Sequence, residues 1–182
     1  MHLPETTPDQ TRIGVSVAIP EPWADELVAA RLSFGDECAT TVPPHITVVG
    51  PTAVDVARLP EVYAHLGAVA AATNPFRLHL RGSGTFRPTS PVVFINVVQG
   101  ISECESLERA ARSGPLAQEK RFNYHPHVTV AHEVPGEALD RAFRQMATFE
   151  AAFDVTEFWL YEHGPDAVWR PQRNFALGHS PT

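Results

Sequence analysis

An α+β fold of two lobes, with two mainly antiparallel sheets, helices on their outer faces and a central cleft, is predicted by three features of this chain. The first is a phrase that occurs twice, Pro44-His45-Ile46-Thr47-Val48 and Pro126-His127-Val128-Thr129-Val130, with the histidines 127 − 45 = 82 residues apart. The second is the order of hydrophobic periods, which reads as a β-α-β-α-β-β unit used twice. The third is size: 182 residues and 19.9 kDa suit one good core, and no linker-like change of composition separates the halves. A single bilobal domain over 13–178 is expected, after a disordered lead at 1–12 and before a short tail at 179–182.

The elements follow in order. Ile13, Val15, Val17 and Ile19 alternate with smaller residues and predict a half-buried strand that ends at Pro20. After Pro22, the residues Trp23, Leu27, Ala30 and Phe34 recur at helical spacing, and Gly35 is the stop. Pro43-Pro44 break the chain before the first histidine strand, which is expected to end at Gly50-Pro51. Leu59, Val62, Tyr63, Leu66 and Val69 mark a second helix. Strands at 76–81 and 92–98 flank GSGTFRPTSP, a hairpin with a long loop. A helix over 103–112 and a Gly114-Pro115 loop lead to the second histidine strand, at 127–134. Leu139, Ala142, Phe143 and Met146 mark the last helix; strands at 153–161 and 169–177 then flank the turn His163-Gly164-Pro165.

Composition narrows the function. A hydrophobic share of 43% with 19% charged residues is that of an ordinary water-soluble protein, and no apolar run approaches the length of a bilayer span. The start, MHLPETTPDQTRIG, has neither a basic region nor an apolar one that would mark it for export, so a cytoplasmic monomer is expected. Two cysteines build no disulfide framework, and Cys104 reads as a buried free thiol. A net charge of −7 argues against holding long duplex nucleic acid by the overall field. The stretch between Thr73 and Ser102 nevertheless has no Asp or Glu but contains Arg77, Arg81 and Arg87, which allows a local positive cleft.

In each repeated phrase the strand period of two places His45 with Thr47, and His127 with Thr129, on one face, while Ile46, Val48, Val128 and Val130 take the other. A lone His-x-Thr is more often structural than catalytic, but packing does not explain why the same polar pair recurs inside an apolar strand. Two imidazoles supply a proton acceptor and a proton donor near neutral pH, each role worth about 10² to 10⁴-fold, and two hydroxyls bind oxygens on which charge grows. Those groups suit splitting a phosphodiester without a metal.

The paired motifs at this spacing resemble the 2H phosphoesterase superfamily, which includes bacterial 2′-5′ RNA ligase-like proteins and RNA 2′,3′-cyclic phosphodiesterases. Gly82-Ser83-Gly84-Thr85-Phe86 followed by Val92-Val93-Phe94-Ile95 is similar to that family's Gly-x-Gly-x-Phe loop and strand, and Asn123-Tyr124-His125-Pro126 to its aromatic lead into the second motif. The likeness runs from about Ile13 to Leu177. It implies that His45 and His127 are the catalytic pair, that Thr47 and Thr129 hold the non-bridging phosphate oxygens, and that no metal or other cofactor is needed. The implied activity is hydrolysis of a 2′,3′-cyclic phosphate, at an RNA end or in a small cyclic nucleotide, with 2′-5′ ligation as its reverse. Both motifs end in Val where the family often has Leu or Ile, a change of packing only.

Three further residues are candidates for lining the substrate. Phe86 either stacks on a base or folds under its loop as a plug. Arg81 shares a strand face with Arg77 and His79, which either lines the cleft or is a solvated surface, and Tyr124 is either substrate-lining or core. His125, His127 and His132 invite a metal reading, but His132 has the opposite strand parity unless a bulge intervenes, and no carboxylate completes a ligand spacing. Two other functions stay open: a non-catalytic module that binds phosphorylated nucleotide or RNA ends, and a zinc hydrolase.

Overall fold

Period-two apolar patterns and apolar helical stripes sort the chain into a sheet and covering helices. The computed structural model describes residues 3–119 and 122–178. In chain order the elements are β1 (Gln10–Ala18), α1 (Trp23–Ser33), β2 (His45–Asp55), α2 (Leu59–Ala72), β3 (Phe76–Thr85), β4 (Val92–Gln99), α3 (Ile101–Ala111), β5 (His127–His132), α4 (Gly136–Gln145), β6 (Glu150–Val155), β7 (Glu157–His163) and β8 (Trp169–Ala176). β1 begins at Gln10, so the end of the expected lead is paired with β2, and the Arg12 guanidinium reaches back to the Pro4 carbonyl. The expected tail at 179–182 lies outside the described residues. α1 stops where predicted, at Gly35, whose φ of +86° is strained for any residue with a side chain.

Two sheets were expected; one eight-stranded sheet is found, in the order β6-β3-β4-β5-β2-β1-β7-β8, with every ladder antiparallel. The histidine strands β2 and β5 are neighbours at its centre and meet at a single registered pair, Ile46 with Val128. Two four-stranded halves therefore join along a narrow seam. Chain order and sheet half do not coincide: β3 joins β4, β5 and β6, whereas β7 and β8 return to β1 and β2. That return also corrects the strand predicted at 153–161, which breaks at Thr156 because β6 pairs with β3 and β7 with β1, on opposite sides of the seam.

Packing closes the seam more than its backbone does. Ile46 and Val128 are completely buried, each worth about 1.5–3 kcal/mol of burial, against about 0.5–1.5 kcal/mol for a hydrogen bond of the ladder. The helices cross over as well, with α1 against β5 and α3 against β2. One apolar cluster consequently runs from Val15 and Leu27 through Ile46 and Val128 to Leu80 and Phe153.

Both histidine strands carry a bulge at the same place. Ser16 opposes Thr47 while Val15 opposes Val49, leaving Val48 as the extra residue; Phe94 opposes Thr129 while Val93 opposes Ala131, leaving Val130. Two consecutive side chains then point into the core in each strand, Val48 with Val49 and Val130 with Ala131. The bulge resets the alternation, so His132 comes to the half-buried polar side together with His127 and Thr129.

Candidate active site

His45 and His127 stand at the first positions of β2 and β5, half-buried on the polar face. Extending the Ile46–Val128 register by one residue each way sets His45 opposite Thr129 and Thr47 opposite His127. The two imidazoles are held alike. His45 Nδ1 lies 2.7 Å from the Pro43 carbonyl, and His127 Nδ1 lies 2.7 Å from the His125 carbonyl. A carbonyl oxygen only accepts, so Nδ1 carries the hydrogen in each ring and the lone pair of the neutral imidazole is on Nε2. At His45 that lone pair receives the Thr47 hydroxyl at 3.2 Å.

Burial lowers the pKa of both rings, because a charged imidazole loses hydration there. The carbonyl bonds oppose this, while the Arg31 guanidinium adds to it at His45, and His125 and His45 add to it at His127. Protonation of one ring thus discourages protonation of the other.

The His127 side is filled with rings. Phe86 packs 4.3 Å from Phe94 and stands edge-on to His127 at 5.0 Å, while His125 lies nearly parallel to His127 at 6.1 Å. Phe86 therefore folds under its own loop and against an imidazole at once. The Gly-x-Gly-x-Phe pattern has a steric cause: a Cβ on Gly84 would come within 2.5 Å of the Phe94 ring and 2.8 Å of Asn96 Oδ1. Asn96, which pairs with His127 across the β4–β5 ladder, donates its amide to the Gly82 carbonyl at 3.0 Å.

The His45 side is open. A cleft of about 450 Å³, continuous with solvent, reaches His45 and Thr47 over Gly14 and Ser16, between walls that include Val42, Pro43, Val49, Pro51, Tyr161 and Trp169. Neither Trp169 nor Tyr161 is among the substrate-lining candidates read from the sequence. The signal that was visible is Ser16, a polar residue in the strand that precedes the first motif. Gly14 leaves room for the same cleft, since a Cβ there would press on the Trp169 ring at 3.2 Å.

The remaining candidates fall outside this centre or support it. Arg81 is exposed on β3, with β4 between it and the His127 strand. Its neighbours are engaged in surface ion pairs, Arg77 with Asp154 and Arg87 with Asp140, so the positive cleft that the acid-free stretch allowed is not assembled from these two; Arg170 likewise pairs with Asp166, and the Arg173 guanidinium lies over Tyr63. Tyr124 packs against the core and donates its hydroxyl to the Thr47 carbonyl at 2.8 Å, a tie across the seam from the lead of one motif to the strand of the other; burial raises its phenol pKa. His132 shares a side with His127 but is placed beside Glu133, and no group of three or more His, Cys, Asp or Glu among the described residues is arranged to hold a metal.

Two adjacent strands thus present His-x-Thr on one face, with each ring held at Nδ1 by a backbone carbonyl. The chain belongs to the 2′-5′ RNA ligase superfamily, the 2H phosphoesterases: the model of that family matches residues 19–167. A Bacillus cytotoxicus protein named as a phosphoesterase is 30% identical over 139 residues, which cover 75% of this chain and 80% of that one. The fold is similar to that of Escherichia coli LigT, solved with NADP+, at a TM-score of 0.65 and 20% identity over 93% of this chain and 99% of that one. TT0787 of Thermus thermophilus is similar at a TM-score of 0.58 and 24% identity, covering 92% of this chain and 98% of that one.

Proposed function

We propose that this protein hydrolyses 2′,3′-cyclic phosphates, at RNA ends or in small cyclic nucleotides, by general acid–base catalysis between His45 and His127. The observation that carries this reading is the matched pair of imidazoles, each with Nδ1 on a backbone carbonyl and Nε2 left to exchange a proton. With one ring neutral and the other charged, the neutral Nε2 takes a proton from water as the water oxygen attacks phosphorus in line. The charged Nε2–H gives its proton to the departing ribose oxygen, and the product is a 2′- or 3′-phosphate. Thr129, and Thr47 once its hydroxyl has turned from His45 Nε2 to the substrate, donate to the non-bridging oxygens as charge builds on them. With a ribose hydroxyl in place of water as the nucleophile, the same pair takes its proton and protonates the departing ribose oxygen, which forms a phosphodiester and so supports ligation. The walls of Trp169, Tyr161 and Val49 beside His45 suit the flat apolar face of a nucleoside. One relative in fold, Escherichia coli LigT, has been solved with 3′-AMP, which fits a nucleotide substrate here.

The test is incubation with nucleoside 2′,3′-cyclic monophosphates and with an oligonucleotide ending in a cyclic phosphate, separating 2′- from 3′-phosphate products. Binding of these ligands without turnover would replace this reading with that of a binding module. The pH dependence has a sign. Burial lowers both imidazoles, so kcat/KM is expected to be bell-shaped with its maximum below the ordinary histidine value of about 6.5, its limbs belonging to the coupled pair. An anionic substrate favours the charged rings, so the limbs of kcat move to higher pH. The profile is expected to survive EDTA. A single limb rising to high pH, with EDTA inhibition reversed by zinc, would instead establish metal-bound hydroxide as the nucleophile.

A further inference from the structure

Behind each histidine strand a guanidinium ties the end of the preceding helix to the chain that leads into the strand. Arg31, in the last turn of α1 and 5% exposed, donates through Nε to Asp36 Oδ2 at 2.8 Å and through Nη1 to the Val42 carbonyl at 2.5 Å. Asp36 is held in turn, accepting the Cys38 backbone N–H at 2.9 Å. The residue after Val42 is Pro43, whose carbonyl fixes His45 Nδ1. In the other half Arg112, at the C-terminal end of α3, meets Glu108 through Nε at 2.9 Å and donates through Nη1 to the Gln118 carbonyl at 3.3 Å. Arg31 precedes its histidine by 45 − 31 = 14 residues and Arg112 by 127 − 112 = 15. Each arginine uses Nε for a carboxylate and Nη1 for a backbone carbonyl, but the partners differ: Asp36 lies in the loop and Val42 is three residues before His45, whereas Glu108 is on α3 itself and Gln118 is nine residues before His127. Local packing alone gives no reason for that recurrence.

We propose that Arg31 is a positioning residue of the His45 site, its guanidinium fixing the 36–43 segment so that the Pro43 carbonyl meets His45 Nδ1, with Arg112 as a looser counterpart in the second half. The proposal deepens the two-histidine reading and rests on it for the consequence on turnover. A buried ion pair is weak evidence for stability in itself, since an apolar replacement is often no worse. Its planar fork, however, spans a carboxylate and a carbonyl together, which a lysine ammonium does not reproduce. The charge acts too. The charged and polar groups that act on His45 are Arg31 from α1, Thr47 on β2 and, through their mutual repulsion, His127 on β5; Asp36 is paired with Arg31, and Tyr161 on β7 lines the same cleft. Among them Arg31 is a permanent cation that disfavours a second positive charge, and Asp36 offsets it.

The experiment is an NMR titration of the His45 ring in the free folded protein, which needs no substrate. Arg31→Lys keeps the charge but loses the fork, so the Pro43 carbonyl bond that raises the ring is weakened; its His45 midpoint is expected to fall below the wild-type one while kcat on a 2′,3′-cyclic nucleotide falls about ten- to a hundredfold. Arg31→Met loses the fork and the cation together and is expected to titrate above Arg31→Lys, and Asp36→Asn is expected to titrate below wild type, because the cation then lacks its counter-ion. Loosening of the loop alone would move every variant toward the ordinary value of about 6.5. A midpoint in Arg31→Lys at or above the wild-type one, or one in Arg31→Met no higher than in Arg31→Lys, would overturn the proposal. If Arg31→Met does not fold, an upward shift in Asp36→Asn or native kcat in Arg31→Lys overturns it. A wild-type protein without turnover would sink the phosphodiesterase reading and leave the titrations free to decide the clamp.

Discussion

Replacing either His45 or His127 with alanine is expected to lower kcat/KM on a 2′,3′-cyclic nucleotide by about 10² to 10⁴-fold, or about 3–5 kcal/mol of transition-state stabilisation, with the protein still folded. Both rings belong to the half-buried polar face, and each gives up one bond to a carbonyl, worth about 0.5–1.5 kcal/mol, while the apolar side of its strand is untouched. Because the two act in one proton-transfer step, the double variant is expected to be little slower than the slower single one. Initial rates beside thermal melts check this. A folded variant within a few-fold of wild type would remove that histidine from the mechanism.

The hydroxyls give the second large effect, and here the two halves differ. Thr47→Val and Thr129→Val keep the branched shape and strand preference, so about 10² to 10³-fold in kcat is expected from each as one donor to the developing charge is lost. Thr47 also donates to His45 Nε2, a bond that favours the neutral ring. Its removal raises the His45 pKa, so Thr47→Val is expected to displace a limb of the pH profile upward as well as to lower it, whereas Thr129→Val lowers the profile alone. Profiles of the two valine variants measured side by side decide this; identical displacement in both would mean that the Thr47 bond does not survive in solution.

Much of this was legible in the residues. Period two within each His-x-Thr phrase placed the imidazoles and hydroxyls on one face and Ile46 and Val128 in the core, because burial enforces alternation strongly at the centre of a sheet. Helical spacing after Pro22 and the stop at Gly35 were equally plain. The two bulges were not: Val48-Val49 and Val130-Ala131 look like ordinary apolar strand, and only the partner's register shows that one residue is extra. The break at Thr156 was hidden for a related reason, since threonine is a good strand residue and the change of partner from β3 to β1 is a long-range event. Arg31 was missed because it lies a helix turn and a loop away from His45, and Trp169 because an aromatic at that distance along the chain reads as core until β8 is seen to return beside β7.

Phe86, edge-on to His127 at 5.0 Å, and Phe94, tilted beside it at 5.1 Å, have a magnetic consequence. Circulating π electrons in both phenyl rings alter the field at the His127 carbon-bound protons, whereas the contacts of His45 are with a proline carbonyl and a hydroxyl. The two imidazoles, nearly equivalent in chemistry, are thereby made spectroscopically unlike. A ligand that displaces Phe86 changes the His127 resonance even where it leaves the protonation of that ring alone, so the loop reports its own movement through the histidine it covers.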